Sequence, residues 1–388
     1  MEFMIAFATE KSTPKELSMD NNTVKNPLNP KKIALFVLYG IIALLLFITV
    51  LSFNDLPSIF EQLKQVELKY VFVSMSMLLT YMALYPLSLC ILTKSKGCDI
   101  SMPLTYSIAM TEHFFNGITP LATGGQPFQA HSYSRAKVKL ADSTGLLLTN
   151  LIIYMAVTTG YSLLGIFYFD TFTANVNPVW IPIIIVGYAL NFAVLVVMIS
   201  LGTSKKLRNG LVRFVYWLCK FKIFKWLEPK AEDAKIYFEQ VQEVFHDLTK
   251  KKGRFLLALL TKICSFAFFY GSSFFILRAM GISADPSQFF MILCATSFAL
   301  TAVGFIPTPG ASGGVEGSAS QVFKSVIIFI VGDAIISTVV PTANGVMLIW
   351  RLLSYYFVMA VSLIFVIGNE IYFRKSKNYA VNKKKSRE

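Results

Sequence analysis

Glu112, Glu316 and Arg351 are the residues best placed to do chemistry, because each is ionisable and stands in an otherwise apolar stretch. A charge at the centre of a bilayer costs about 2.5–3.5 kcal/mol on insertion scales, so such a residue marks a candidate site and needs a partner. Glu316 comes just after Gly313-Gly314. Glu112 stands beside His113, ahead of Thr119-Pro120, and Arg351 falls about two turns into the last apolar run. A carboxylate in such a place can hold a cationic group, cap the amides of a broken helix or carry a proton. A guanidinium can hold a phosphate or snorkel to the nearer interface. Asp333 reads as an end-of-helix residue. Lys262, about two turns inside its apolar run, reads as a snorkelling lysine.

Other chemistries lack their residues. The five cysteines (Cys90, Cys98, Cys219, Cys264, Cys294) are scattered, with no C-x-x-C, and give neither a metal site nor a disulfide framework. No G-x-x-x-x-G-K-[ST] cradles a phosphate, and no Ser-His-Asp arrangement supports covalent catalysis. We therefore assign no catalytic residue, no metal ligand and no cofactor. The aromatic run Phe266, Phe268, Phe269, Tyr270, Phe274 and Phe275 reads as packing rather than a ligand box.

The element that must position the charged residues is a short repeat. Thr119-Pro120-Leu121-Ala122-Thr123-Gly124-Gly125 recurs as Thr308-Pro309-Gly310-Ala311-Ser312-Gly313-Gly314, and the match extends to Ala130 and Ala319. Both copies read T-P-x-A-[ST]-G-G-x-x-x-x-A. Proline removes an amide donor and paired glycines favour open backbone, so each copy should break a helix. Broken helices in apolar surroundings are tolerated where they are buried in protein or line a wet cavity. A pair of them at matching places in two halves points to a transporter's binding site. Thr119, Gly124, Gly125, Thr308, Gly313 and Gly314 thus join Glu112, Glu316 and Arg351 as candidate substrate-binding residues.

The chain has 388 residues, of which 55% are hydrophobic and only 15% charged; its mean hydropathy is +0.58. Soluble domains carry about 25% charged residues. Several apolar runs reach the roughly 20 residues that span a bilayer. The fold class is therefore all-α and polytopic. The formal charge of +14 crowds into loops on one predicted side, where it sets orientation and meets lipid headgroups. That placement excludes nucleic acid as the expected partner.

Residues 1–30 form a polar tail. Residues 31–202 form a first membrane half with the first motif, and residues 254–372 a second half with the second motif. Between them residues 203–253 are a basic linker, and Phe214, Trp217, Leu218 and Phe221 fall at helical spacing as an amphipathic surface helix would. Residues 373–388 are a basic tail. Full spans are expected at Ile33–Leu51, Tyr70–Leu92, Ser143–Phe169, Val179–Leu201, Arg254–Met280 and Asn344–Ile367, with a short surface helix in 53–69. The remaining apolar sequence makes two re-entrant broken-helix pairs. One is Pro103–Asn116 with the segment ending near Arg135; the other is Phe289–Phe305 with Val322–Val340. If each half-helix crosses fully, the total rises to about eight spans. Lysines flanking the first and last spans place both termini in the cytoplasm of a multi-pass cell-membrane protein. The first pair then opens from the inside and the second from the outside, as an inverted repeat requires.

Three segments resemble the membrane-embedded, flippase-type domain of lysylphosphatidylglycerol synthases, in its stand-alone form. They are Asn116-Gly117-Ile118-Thr119-Pro120 with Gly124-Gly125-Gln126-Pro127, Pro307-Thr308-Pro309-Gly310 with Gly313-Gly314-Val315-Glu316-Gly317, and Arg351-Leu352-Leu353-Ser354-Tyr355-Tyr356. The resemblance covers roughly residues 30–370, the span of the predicted membrane region. It implies a membrane domain that moves aminoacylated phosphatidylglycerol between leaflets. It also implies a link to resistance against cationic peptides, and a separate aminoacyltransferase as a further partner. In full-length relatives that enzyme is a soluble domain of some hundreds of residues, for which this chain has no room, so the phosphatidylglycerol lysyltransferase activity of the family name is expected to be missing here. The first motif departs from the pattern by placing Gln126 and Pro127 where a charged residue is expected.

Three functions follow. A translocase of anionic or aminoacylated phospholipid would use the broken helices to replace headgroup water, with half-helix N-termini favouring phosphate and Glu316 or Glu112 holding a cationic headgroup or carrying a counter-moving proton. An ion-coupled transporter of a small solute would use the same repeat. An aminoacyltransferase is the reading of the family name.

Overall fold

The computed structural model describes residues 66–206, 209, 210, 213, 231–332 and 336–385, excluding the side chains of 231–237, 336, 337 and 377–385. The expected span Ile33–Leu51, the polar tail, most of 53–69, the helix around Trp217 and Asp333 lie outside the described residues.

Helix α1 (Leu68–Leu84) and α2 (Leu87–Lys96) make one apolar column, Leu68–Lys96, interrupted where Pro86 withholds an amide. Gly97, at φ 85°, ends α2 by returning its amide to Thr93 and Lys94 carbonyls. α3 (Met102–Ile118) carries Pro103 in its first turn, where the missing donor costs nothing. α4 (Gly125–Arg135) follows the first motif, then α5 (Leu140–Leu164), the short α6 (Phe169–Thr173) and α7 (Trp180–Thr203). α8 (Ala231–Lys250) precedes α9 (Lys252–Ala279), α10 (Phe289–Thr301) and, after the second motif, α11 (Gly314–Val331). The chain closes with α12 (Ile336–Arg351), a π-helical stretch at Leu352–Phe357 and α13 (Val358–Lys385).

Among the described residues, six helical columns are long and apolar enough to cross a membrane: Leu68–Lys96, Leu140–Thr173, Trp180–Thr203, Lys252–Ala279, Gly314–Val331 and Thr338–Ser376. This is a multi-pass, all-helical membrane protein. Its apolar side chains face outward as well as in. Phe192, Val194, Val196 and Val197 of α7 are exposed, as are Phe167 and Ile364, which suits contact with lipid tails and not with water.

Two expectations need correction. The return limb of the second pair does not run to Val340: it ends at Val331, where Gly332 at φ 77° turns the chain out of the helix. Its 18 residues are enough to cross by length. The last column therefore begins at Thr338 and not at Asn344, and Arg351 sits well inside it, too deep to snorkel to the near end.

Several helix–helix contacts within the apolar core are polar, as expected when lipid competes with apolar packing. Ser273 and Thr296 hydroxyls are 2.6 Å apart between α9 and α10. The Trp350 indole donates to Ser272 at 3.2 Å, and Thr159 donates to Asn191 at 2.7 Å. α13 lies along α3, where the Ser362 hydroxyl donates to the Met110 carbonyl at 2.5 Å and accepts from the Phe114 amide at 3.0 Å. α8 does not lie apart on a surface. Its Val241, Val244, Phe245 and Leu248 are buried, and Val244 sits over Gly145 of α5.

Candidate functional site

The two motifs fold alike. In each, the residues after Thr-Pro take left-handed backbone: Leu121 and Ala122 at φ 55° and 51°, Gly310 and Ala311 at φ 61° and 50°. Two consecutive left-handed residues make a type I′ turn. The turn closes by Thr123 N–H to Pro120 O at 3.3 Å in one copy and Ser312 N–H to Pro309 O at 3.2 Å in the other. The hydroxyl of the same Thr or Ser then donates to the same proline carbonyl, at 3.0 Å in both. This double use of one carbonyl accounts for the Thr/Ser at that place in the repeat.

The copies also meet. Pro120 and Pro309 face each other as an isolated antiparallel bridge. Equivalent residues paired antiparallel are what a two-fold axis passing between the copies produces. The tip of the first motif, Pro120 to Thr123, is exposed, as is Gly313 of the second.

Below the second motif lies a buried ion pair. Arg351 Nε donates to Glu316 Oε1 at 2.9 Å, and its Nη2 donates to the Gly310 carbonyl at 2.5 Å and to Ser312 Oγ at 3.4 Å. Glu316 Oε2 accepts from the Gly313 amide at 2.6 Å, so the carboxylate also caps α11. The guanidinium lies 4.1 Å over the Tyr355 ring. Tyr355 then donates through its hydroxyl to the Gly117 carbonyl at 2.8 Å, which ties the pair to the helix leading into the first motif. Tyr355 belongs to the π-helical stretch, whose wider turn is a common device at functional sites.

The first motif solves the same capping problem with other side chains. Thr119 Oγ1 accepts from the Gly124 amide at 2.9 Å, and Asn116 Oδ1 accepts from the Gly125 amide at 2.8 Å. The Gly124 and Gly125 amides are thus already occupied, which leaves fewer donors at the start of α4 for the phosphate expected there. Thr308 differs from Thr119: its hydroxyl donates to the Ser312 carbonyl at 2.8 Å. A side chain at Gly125 would collide with Asn116 and Glu112, and one at Gly314 with Ile306, so both glycines serve close packing.

Glu112 does not cap backbone amides. It is buried and accepts from Gln126 Nε2 at 3.2 Å and Gln129 Nε2 at 3.4 Å, both on α4. Lys262 is fully buried and does not snorkel. Its ammonium lies 3.3 Å over the Tyr85 ring and donates to the Tyr85 carbonyl at 3.4 Å. The His113 ring lies 4.4 Å from that of Tyr85. Among the described residues no group of three His, Cys, Asp or Glu could hold a metal ion.

The candidate residues thus form two centres joined by the bridged loops: Glu316, Arg351, Thr308, Gly313 and Gly314 in one, and Glu112, Thr119, Gly124 and Gly125 in the other. Sequence reasoning missed Lys262, Tyr355, Asn116, Gln126, Gln129 and Tyr85 as members. Tyr355 and Asn116 stood inside the segments that carry the family resemblance, and a lysine within an apolar run was a signal for Lys262.

A family model for the lysylphosphatidylglycerol synthase TM region matches residues 33–362. The chain belongs to this family. Its matched region takes in both motifs and Arg351. Membership of the lysylphosphatidylglycerol synthase TM-region family links the protein to synthesis or translocation of lysyl-phosphatidylglycerol. A search among curated proteins finds no match.

Proposed function

We propose that the protein moves a phospholipid between leaflets, with aminoacylated phosphatidylglycerol as its first candidate and both termini on the cytoplasmic side. The observation that supports this reading is the pair of non-helical loops meeting at Pro120 and Pro309 inside a membrane bundle. Irregular backbone at membrane depth is sustained only where protein or water surrounds it. Its exposed tip offers polar groups to a headgroup, while the lipid tails stay in the surrounding hydrocarbon. Stripping a headgroup of its water otherwise costs several kcal/mol. Arg351, held under the second loop by Glu316 and the Gly310 carbonyl, is the group we assign to the lipid phosphate, which would compete with the carboxylate for the guanidinium.

The test is transbilayer movement of tail-labelled phosphatidylglycerol and its lysyl ester in vesicles carrying the purified chain, read by chemical quenching of the outer leaflet. We expect movement above that in protein-free vesicles, reduced in Arg351→Lys, which keeps the charge but loses the fork of donors. No movement above the protein-free control would refute the reading. Lipid analysis of cells expressing this chain alone separates it from an aminoacyltransferase, which would produce lysyl-phosphatidylglycerol without a partner enzyme.

A further inference from the structure

The centre at Glu112 differs in kind from the one at Glu316. Glu316 and Arg351 are in direct contact. Glu112 and Lys262 are both buried on neighbouring helices, yet among the described residues Lys262 forms no ion pair. Its ammonium has three donors and only the Tyr85 carbonyl and ring as partners. The donors that reach Glu112 are neutral: the side-chain amides of Gln126, Gln129 and Asn116 and the Tyr85 hydroxyl. A buried pair of opposite charges held apart pays for two desolvations without the full attraction.

Gln129 supplies the second observation. It is fully buried, and its Nε2 is shared between Glu112 and the Ile108 and Ala109 carbonyls, while its Oε1 has no hydrogen-bond partner. His113 Nε2, next along α3, has none either. An unpaired buried acceptor costs about 1–3 kcal/mol. A carboxylate cannot relieve that cost, because it only accepts; a carboxylic acid can, because it has an O–H to donate.

We propose that Glu112, set against Lys262, is a proton-binding site that exchanges with water through the first motif during the transport cycle. The inference rests on the reading of the protein as a lipid transporter. The proton comes from water, forms an O–H bond on one Glu112 oxygen, and leaves by the same bond; no other bond changes. Binding gives the carboxyl an O–H to donate toward Gln129 Oε1, and weakens the hydrogen bond from Gln126 Nε2 to the other oxygen, which still accepts but no longer carries charge. Gln126 is partly exposed and directly follows Gly125, so the state of Glu112 is read out by the helix that starts at the first motif. The titratable and charged groups that face Glu112 are Tyr81 and Tyr85 from the first column, Tyr154 from α5, Lys262 from α9 and His113 from its own helix. α13 meets the other face of α3 with Ser362 and Asn369, and the π-helical stretch with Tyr355.

The experiment uses the full chain in vesicles and two readouts. Infrared difference spectra on acidification should show a buried carboxylic-acid band in the wild type. That band should be absent in Glu112→Gln and appear at higher pH in Lys262→Met. Separately, the leaflet ratio of tail-labelled lysyl-phosphatidylglycerol should shift about tenfold per unit of imposed pH difference if one proton accompanies each lipid, and Glu112→Gln should remove that dependence. Lipid movement with a ratio indifferent to the pH difference overturns the proton site and leaves the lipid reading standing. The same gradient dependence in Glu112→Gln, or a carboxyl band that survives it, overturns the assignment to Glu112. No lipid movement at all sinks both readings.

Discussion

The contacts of Arg351 permit a quantitative prediction. Breaking a buried ion pair by removing one partner costs about 3–5 kcal/mol, because it strands the other charge. Arg351→Met would strand the Glu316 carboxylate with only the Gly313 amide, and would leave the Gly310 carbonyl without its donor. Glu316→Gln would strand the guanidinium, with the Gly310 carbonyl and Tyr355 ring as remaining partners. The double variant strands neither charge. It should therefore be no less stable than the worse single variant, and the singles should fail to add by about 2–3 kcal/mol, at the upper end for residues in one network. Each of the four proteins is unfolded reversibly in mixed micelles and the midpoints compared. Additive losses would refute the argument, since they would mean that neither charge depends on the other. If the double variant is stable and yet moves no lipid, the pair holds a transport role besides its structural one.

Gly310→Ala should cost more than the usual left-handed penalty of about 1–2 kcal/mol, because its Cβ would stand 2.5 Å from the Tyr355 ring; Gly310→Ala combined with Tyr355→Leu should recover part of that loss in the same unfolding assay. Gly313→Ala, at φ 87° and ψ −47° with open space around it, should cost only the backbone strain of that sparsely allowed region, about 1–3 kcal/mol; a variant as stable as wild type would show that the backbone is not the constraint. Gly124→Ala should destabilise rather than merely block transport, since its Cβ would lie 2.8 Å from the Phe115 carbonyl and 2.7 Å from Thr119; a variant that is fully stable but inactive would contradict this. The Asp285 carboxyl, which accepts from the Ser287 hydroxyl and amide, is held below the usual carboxylate range. Its contribution is present above the unfolded pKa and is lost as pH falls through the folded one. The stability difference between wild type and Asp285→Ala should therefore shrink on acidification; a difference that stays constant with pH would contradict this.

Helix class, the apolar columns and the repeat were legible because they depend on local residue types. Charge depletion, apolar runs and two copies of T-P-x-A-[ST]-G-G needed no tertiary information. What the sequence could not carry was partner choice. Nothing near Lys262 in sequence says that it faces Tyr85, because the contact crosses from one column to another. The end of α11 at Gly332 was hidden because apolar sequence resumes soon after it, and one glycine in such a run does not announce a positive φ. Arg351 was recognised, but its depth depended on where the last column begins, which that same break decides.

On the proposed lipid-transport reading, the two buried acids divide the demands of transport between them. Both oxygens of Glu316 are committed, one to a guanidinium and one to the Gly313 amide. Putting a proton there would strand a buried cation and a helix amide together, so Glu316 is the poorer of the two proton carriers that the sequence offered. Neutralising Glu112 leaves the Lys262 ammonium without its facing carboxylate, but it strands no backbone amide and no directly bonded cation, because the donors to Glu112 are side-chain groups that can rotate. This matters for a cationic lipid. Moving one positive charge outward against a potential negative inside costs about 2.3 kcal/mol per 100 mV. Without a counter-ion, that requires a lipid gradient of roughly fiftyfold. One proton inward for each such lipid outward removes the electrical term. In this proposed division Arg351, under the second motif, is the phosphate's group, and Glu112, beside the first, carries the proton. The bridge at Pro120 and Pro309 is then the physical link through which a change at one centre reaches the other. Lengthening that link, for example by a glycine inserted after Leu121, should leave lipid movement without a pH difference less affected than its dependence on one. Equal loss of both would mean that the bridge shapes the site and does not couple the centres.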